Sequence, residues 1–94
     1  MKKSVGGKII TTNDSNQELI TWEACELKEY ASIIIIDSFF VRNEDEKDIF
    51  VKINNGSEML LKPGELYNLS GLTNVESCIV VTSNAKVRWG GLIC

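Results

Sequence analysis

Histidine is absent from this chain of 94 residues. Its absence removes Ser-His-Asp and Cys-His catalysis, imidazole general bases and the usual histidine-ligated metal centres. Cysteine is sparse and odd in number: Cys25, Cys78 and Cys94 lie far apart with no CxxC pair. That spacing suits neither a disulfide framework nor a thiolate metal site. The three read as small apolar residues kept reduced. The alternative is a reactive thiol at Cys94, with no histidine to activate it. Long apolar runs are lacking too. The longest is Ile33 to Ile36, followed after Asp37 and Ser38 by Phe39-Phe40-Val41, too short to cross a bilayer. No apolar run follows the basic Met1-Lys2-Lys3, so it does not read as a secretory signal, and the expectation is a soluble protein made in the cytoplasm. Basic charge is short, with 10 Lys and Arg against 13 Asp and Glu and a net charge of −3, which argues against binding nucleic acid through phosphates. The length is that of one small domain.

What is present reads mostly as β-strand. Lys8 to Thr12 is a short β-branched run, and Ser32 to Val41 is a long one rich in Ile and aromatics. Ile49, Val51 and Ile53 alternate with Phe50 and Lys52, the pattern of a half-buried strand. Asn54-Asn55-Gly56 is a hairpin signal, with Met59 to Leu61 as the return. Lys62-Pro63-Gly64-Glu65 fits a type II turn. Leu66 to Leu69 and Ser77 to Ser83 follow as strands, and Ala85 to Trp89 places Val87 and Trp89 on one face and Lys86 and Arg88 on the other. Gly90-Gly91 is expected to break that strand before Leu92-Ile93. Gln17 to Tyr30 carries both a partial helical stripe and a strand pattern through Ile20, Trp22 and Ala24; extended structure is preferred because Thr21-Trp22 favours β. Seven or eight short strands at spacings near ten residues predict an all-β fold, a single antiparallel β-sandwich or jelly-roll-like barrel over residues 8–94, preceded by a flexible arm over residues 1–7.

Several features bear on function. Apolar residues point to both sides of the strand through Ile33, Ile34, Ile35 and Ile36, so it is either a central strand covered on both faces or one that meets another chain. Phe50 stands opposite to Ile49, Val51 and Ile53 and either packs under a loop or anchors a partner. The run Arg42 to Asp48 (RNEDEKD) lacks the ligand order of a Ca²⁺ loop and reads as a solvated hairpin tip. Gly7-Lys8 lies in no GxxxxGK[ST] frame, so no phosphate loop is written there.

The stretch VKINNGSEMLLKPGELYNL, then SCIVVTSNAKVRWGG, together with Leu27-Lys28-Glu29-Tyr30-Ala31-Ser32-Ile33-Ile34-Ile35 upstream, resembles small β-sandwich virion proteins of tailed bacteriophages. The resemblance is one of strands and turns, covers about two-thirds of the chain, and transfers no functional residues. It implies a structural, non-catalytic role without saying which: capsid decoration (cement) at the capsid exterior is preferred and a head fibre base or other head or tail component is the alternative, with the major capsid protein or other virion proteins as partners and homo-oligomerisation open.

On this reading the contacts are expected at Phe39, Phe40, Phe50, Trp22 and the arm with Lys2 and Lys3; no catalytic residue, cofactor or metal, and neither nucleic acid nor membrane, is expected. Two other classes compete. A carbohydrate-binding module would stack sugars on Trp22, Tyr30 or Tyr67. A cupin-shaped, metal-free isomerase would have to use Glu65 or Tyr67.

Overall fold

The computed structural model describes residues 2–27 and 33–93. It contains β1 (Lys3–Thr11), β2 (Gln17–Glu18), α1 (Trp22–Cys25), β3 (Ile35–Asn43), β4 (Ile49–Ile53), β5 (Met59–Leu61), β6 (Leu66–Val75), β7 (Cys78–Val80) and β8 (Lys86–Ile93). The strands form two four-stranded antiparallel sheets, sheet A in the order β1-β8-β3-β6 and sheet B in the order β2-β7-β4-β5. Strand partners nest around β4–β5: β3 pairs with β6, β2 with β7, β1 with β8. The chain is therefore one long hairpin whose paired arms pass alternately from one sheet to the other. That is the jelly-roll form of the β-sandwich.

Period-2 alternation decides which side chains fill the space between the sheets. From sheet A come Ile35, Phe39, Val41, Val87 and Trp89; from sheet B come Ile49, Val51, Cys78 and Val80, all buried. Where the chain changes sheet, backbone groups leave the ladder and need other partners. Side chains supply them, the buried Asn43 and Thr12 and the exposed Asn54. After β3, Asn43 donates through Nδ2 to the carbonyls of Lys47 and Leu61 and accepts from the Asp45 N–H through Oδ1. After β1, the Thr12 hydroxyl donates to the Thr82 carbonyl and accepts from the Ala85 N–H. Between β6 and β7, Asn54 Oδ1 accepts from the N–H groups of Glu76 and Ser77.

The expected turns form. The Gly56 N–H donates to the Ile53 carbonyl at 2.9 Å, with Asn54 and Asn55 both at positive φ. The Glu65 N–H donates to the Lys62 carbonyl at 2.9 Å, and the Glu65 carboxylate accepts from the Lys62 N–H, so Glu65 holds its own turn closed.

Several expectations are corrected. The arm over residues 1–7 is, from Lys3 onward, part of β1: Lys3, Ser4, Val5 and Gly6 pair with Ile93, Leu92, Gly91 and Gly90. Within that strand Gly6-Gly7 makes a bulge, with φ of 78° and 94° that other residues rarely adopt. Thr21 keeps an extended backbone, but Trp22 begins a helical turn and not a strand. Thr21 caps a single helical turn, its hydroxyl accepting from the Ala24 N–H at 3.1 Å, and Glu26 ends the turn in the left-handed region. Among the described residues of that segment only Gln17–Glu18 is strand. The run 42–48 is no hairpin tip; it crosses between the sheets, with Asn43 buried and Asp45 Oδ2 accepting from the Lys86 N–H. Gly90-Gly91 does not interrupt β8, which continues to Ile93. Strand β6 likewise runs on past Leu69 to Val75, while β7 keeps only Cys78–Val80.

Candidate functional site

Phe39 and Phe40 are neighbours on β3 and face opposite ways. Phe39 is fully buried, which corrects its expected place among the contact residues. Phe40 lies half-buried on the outer face of sheet A. It fits there because Gly90 stands opposite: a Cβ on Gly90 would come within 2.8 Å of Phe40 Cε1. The Arg88 guanidinium carbon stands 5.8 Å from the Phe40 ring centroid, within cation–π reach.

Register places a second row beside this ring. Ile9 of β1 pairs with Arg88 of β8, Arg88 with Arg42 of β3, and Arg42 with Leu66 of β6. At a strand spacing of about 4.8 Å, the row crosses the whole sheet over roughly 14 Å. Its ends are among the most exposed large apolar side chains, Ile9 at 57% and Leu66 at 50%. Between them the two arginines share one carboxylate. Arg42 Nη1 donates to Glu44 Oε1, and Arg88 Nε lies 3.3 Å from Glu44 Oε2. That second approach has ion-pair distance but not hydrogen-bond geometry, and Arg88 Nε makes no hydrogen bond. Next to the row, Ser38, Phe40, Arg42, Asn68, Ser70 and Arg88 line an open groove of about 490 Å³.

A second hollow of about 380 Å³ lies where α1 packs against β1, lined by Lys3, Lys8, Glu23, Cys25 and Trp89 among others. Burial pushes the Cys25 thiol above its usual range, against a smaller pull from Lys3. It is held as a thiol, the weakly nucleophilic form. Cys78 is pushed up to about 12 by burial and by the Glu18 carboxylate. Cys94 lies outside the described residues.

The remaining expected contacts are scattered. Phe50 stands outward on sheet B at 41% exposure, opposite Leu60 at 42%. Trp22 is exposed on α1. Lys2 pairs with Asp37 at 2.6 Å, and that hydrogen bond is the main cause of an Asp37 carboxyl below its ordinary range. The Asp45 carboxyl is lowered chiefly by the Lys86 and Glu46 N–H groups. Tyr67 points inward against the core at the β6 edge, while α1 with Trp22 lies by the opposite edge, β1. Tyr30, the third expected sugar-stacking residue, lies outside the described residues. Among the described residues, no group of three or more acidic or cysteine side chains is placed to hold a metal ion.

Four residues of the row, Ile9, Arg42, Leu66 and Arg88, were not singled out as contacts by the sequence. Alternation gives the side of the strand on which Arg88 stands, but not that Arg42 is its neighbour, because β3 and β8 are joined only through register. Comparisons with protein-family models, with curated proteins and with solved structures found no match for the chain.

Proposed function

We propose that this chain is a non-catalytic assembly protein that docks on another protein through the outer face of sheet A. The observation that carries the reading is the row Ile9-Arg88-Arg42-Leu66 lying beside the Phe40 groove. Exposed aliphatic ends, two arginines and an aromatic ring on a firm strand platform form the mix in which protein interfaces concentrate their binding energy. The resemblance of the strand-and-turn pattern to phage virion β-sandwich proteins supports a capsid exterior as the surface docked upon, with the major capsid protein or another virion protein as partner. The jelly roll hosts capsid and lectin domains and cupins alike, so the fold itself does not choose among roles. The surface residues favour docking over sugar binding, since Trp22 and Tyr67 share no face.

The test is cosedimentation of the purified chain with capsids from its own source, followed by electron microscopy of the pellet. The expected result is regular density on the shell. A chain that stays in the supernatant as a stable monomer overturns the capsid reading.

A further inference from the structure

The outer face of sheet A is charged against the sign of the whole chain. Arg42, Arg88 and Lys86 share this side, since Lys86 pairs with Thr11 two positions before the Arg88–Ile9 pair on the same strand. Against them stand Glu44, which already serves both arginines, Asp45 at the loop beyond, and Asp37, which Lys2 already pairs. The chain as a whole carries −3. Glu44 does not saturate either guanidinium: each arginine has five N–H donors in a planar fork, Arg42 gives Glu44 one of them, and Arg88 Nε gives it none in hydrogen-bond geometry. Both side chains keep solvent access, at 36% for Arg42 and 43% for Arg88. Glu44 acts as a brace between the two cationic side chains, hydrogen-bonded to Arg42 and within ion-pair distance of Arg88, which lies over the Phe40 ring. The entropy of ordering them is then already spent before a partner arrives.

We infer that this row recognises a protein segment in which a carboxylate side chain is flanked by aliphatic residues. The carboxylate accepts from the free N–H groups of Arg88 and Arg42, and the aliphatic neighbours cover Leu66 and the Phe40 ring on one side and Ile9 on the other. A carboxylate suits the guanidinium fork, and the bond is charge-assisted. The groove is open to solvent rather than enclosed, which suits a protruding chain segment better than a buried small molecule. This inference rests on the docking reading above and adds to it the chemistry of the partner.

The test uses the full chain labelled with ¹⁵N and two synthetic 12-residue peptides, one alternating Glu and Leu, the other Lys and Leu. The Glu-Leu peptide is expected to shift the amide signals of Ile9, Phe40, Arg42 and Arg88, and the Lys-Leu peptide to leave them in place. Arg88→Ala should weaken Glu-Leu binding about tenfold or more, on the scale of a lost hydrogen bond to a charged group. Arg88→Lys should recover part of the loss, because it restores the charge without the fork. Ile9→Ser, which leaves the ion pairs intact, should weaken binding by a smaller factor. Equal binding of both peptides, shifts confined to sheet B, or no shifts at all would each overturn the inference. Failure here with capsid cosedimentation intact removes the acidic-segment partner and leaves the assembly role; peptide binding without cosedimentation does the reverse.

Discussion

Both sheets come from the same nested hairpin arms and fill one core, yet their outer faces differ. Sheet A is built from three strands of eight to ten residues besides its nine-residue edge β1, whereas the strands of sheet B have two to five. Long strands give sheet A a surface on which register can line up Ile9, Arg88, Arg42 and Leu66. Sheet B offers one exposed apolar pair, Phe50 and Leu60, and a row in which Glu18 and Lys52 flank Ile79 with opposite charges. The Glu18 carboxylate is also occupied at the Ser77 hydroxyl and the N–H groups of Ile20 and Cys78. The two faces differ in the charge and shape their neighbouring strands assemble, more than in any single exposed aromatic.

The largest expected effect separates the two sides of sheet A. Phe39→Ala should cost about 3–5 kcal/mol of stability in denaturant unfolding, the range for an aromatic removed from a packed core. Phe40→Ala, one residue along, should cost well under half of that and weaken partner binding instead. Equal costs would mean that the two faces of β3 are not distinct.

Next in size is the joint between the sheets. Asn43→Ala leaves the carbonyls of Lys47 and Leu61 and the Asp45 N–H without their partner, and should cost about 2–4 kcal/mol. The same unfolding measurement checks it; a loss below about 1 kcal/mol would show that the crossing holds without Asn43.

The outer faces themselves should contribute little to stability. Ile9→Ser with Leu66→Ser, and separately Phe50→Ser with Leu60→Ser, should each change unfolding by about 1 kcal/mol or less. Only the first pair should abolish cosedimentation with shells. Loss from the second pair alone would move the docking surface to sheet B.

Titration gives the smallest effects, and their signs are fixed. The Asp37 and Asp45 carboxyls lie below their ordinary values in the folded chain, so their contribution is present above the unfolded pKa and is lost as pH falls through the lowered folded values. Cys78 behaves oppositely. An unfolded thiol ionises near 9.0, whereas the folded one stays protonated to about 12, so stability should fall as pH rises between them. Unfolding midpoints across pH check both; Cys78→Ala should flatten the alkaline limb.

Much of the fold is legible in the residues. The alternation at Ile49–Ile53, the Asn-Asn-Gly and Pro-Gly turns, and Val87 and Trp89 facing inward are local signals, and each appears where the sequence puts it. The nested pairing and the sheet order are set by contacts between residues far apart, such as Val5 with Gly91, and no local pattern encodes them. Glycine misled at Gly90-Gly91, which reads as a break, whereas in β8 the pair gives room for Phe40 and Ile35, neighbours distant in sequence. Thr21 misled because a capping hydroxyl and a β-branched strand residue are the same side chain. Of the proposed docking surface only Phe40 was legible as a contact, because the arginine pair exists only once β3 and β8 are in register.

The most direct measurement is hydrogen–deuterium exchange of the chain free and bound to capsid shells. Docking through sheet A predicts new protection in β1 around Ile9, at the start of β6 and along the groove, with β5 and the Phe50–Leu60 pair unchanged. Protection confined to sheet B, or no change on either sheet, would contradict it.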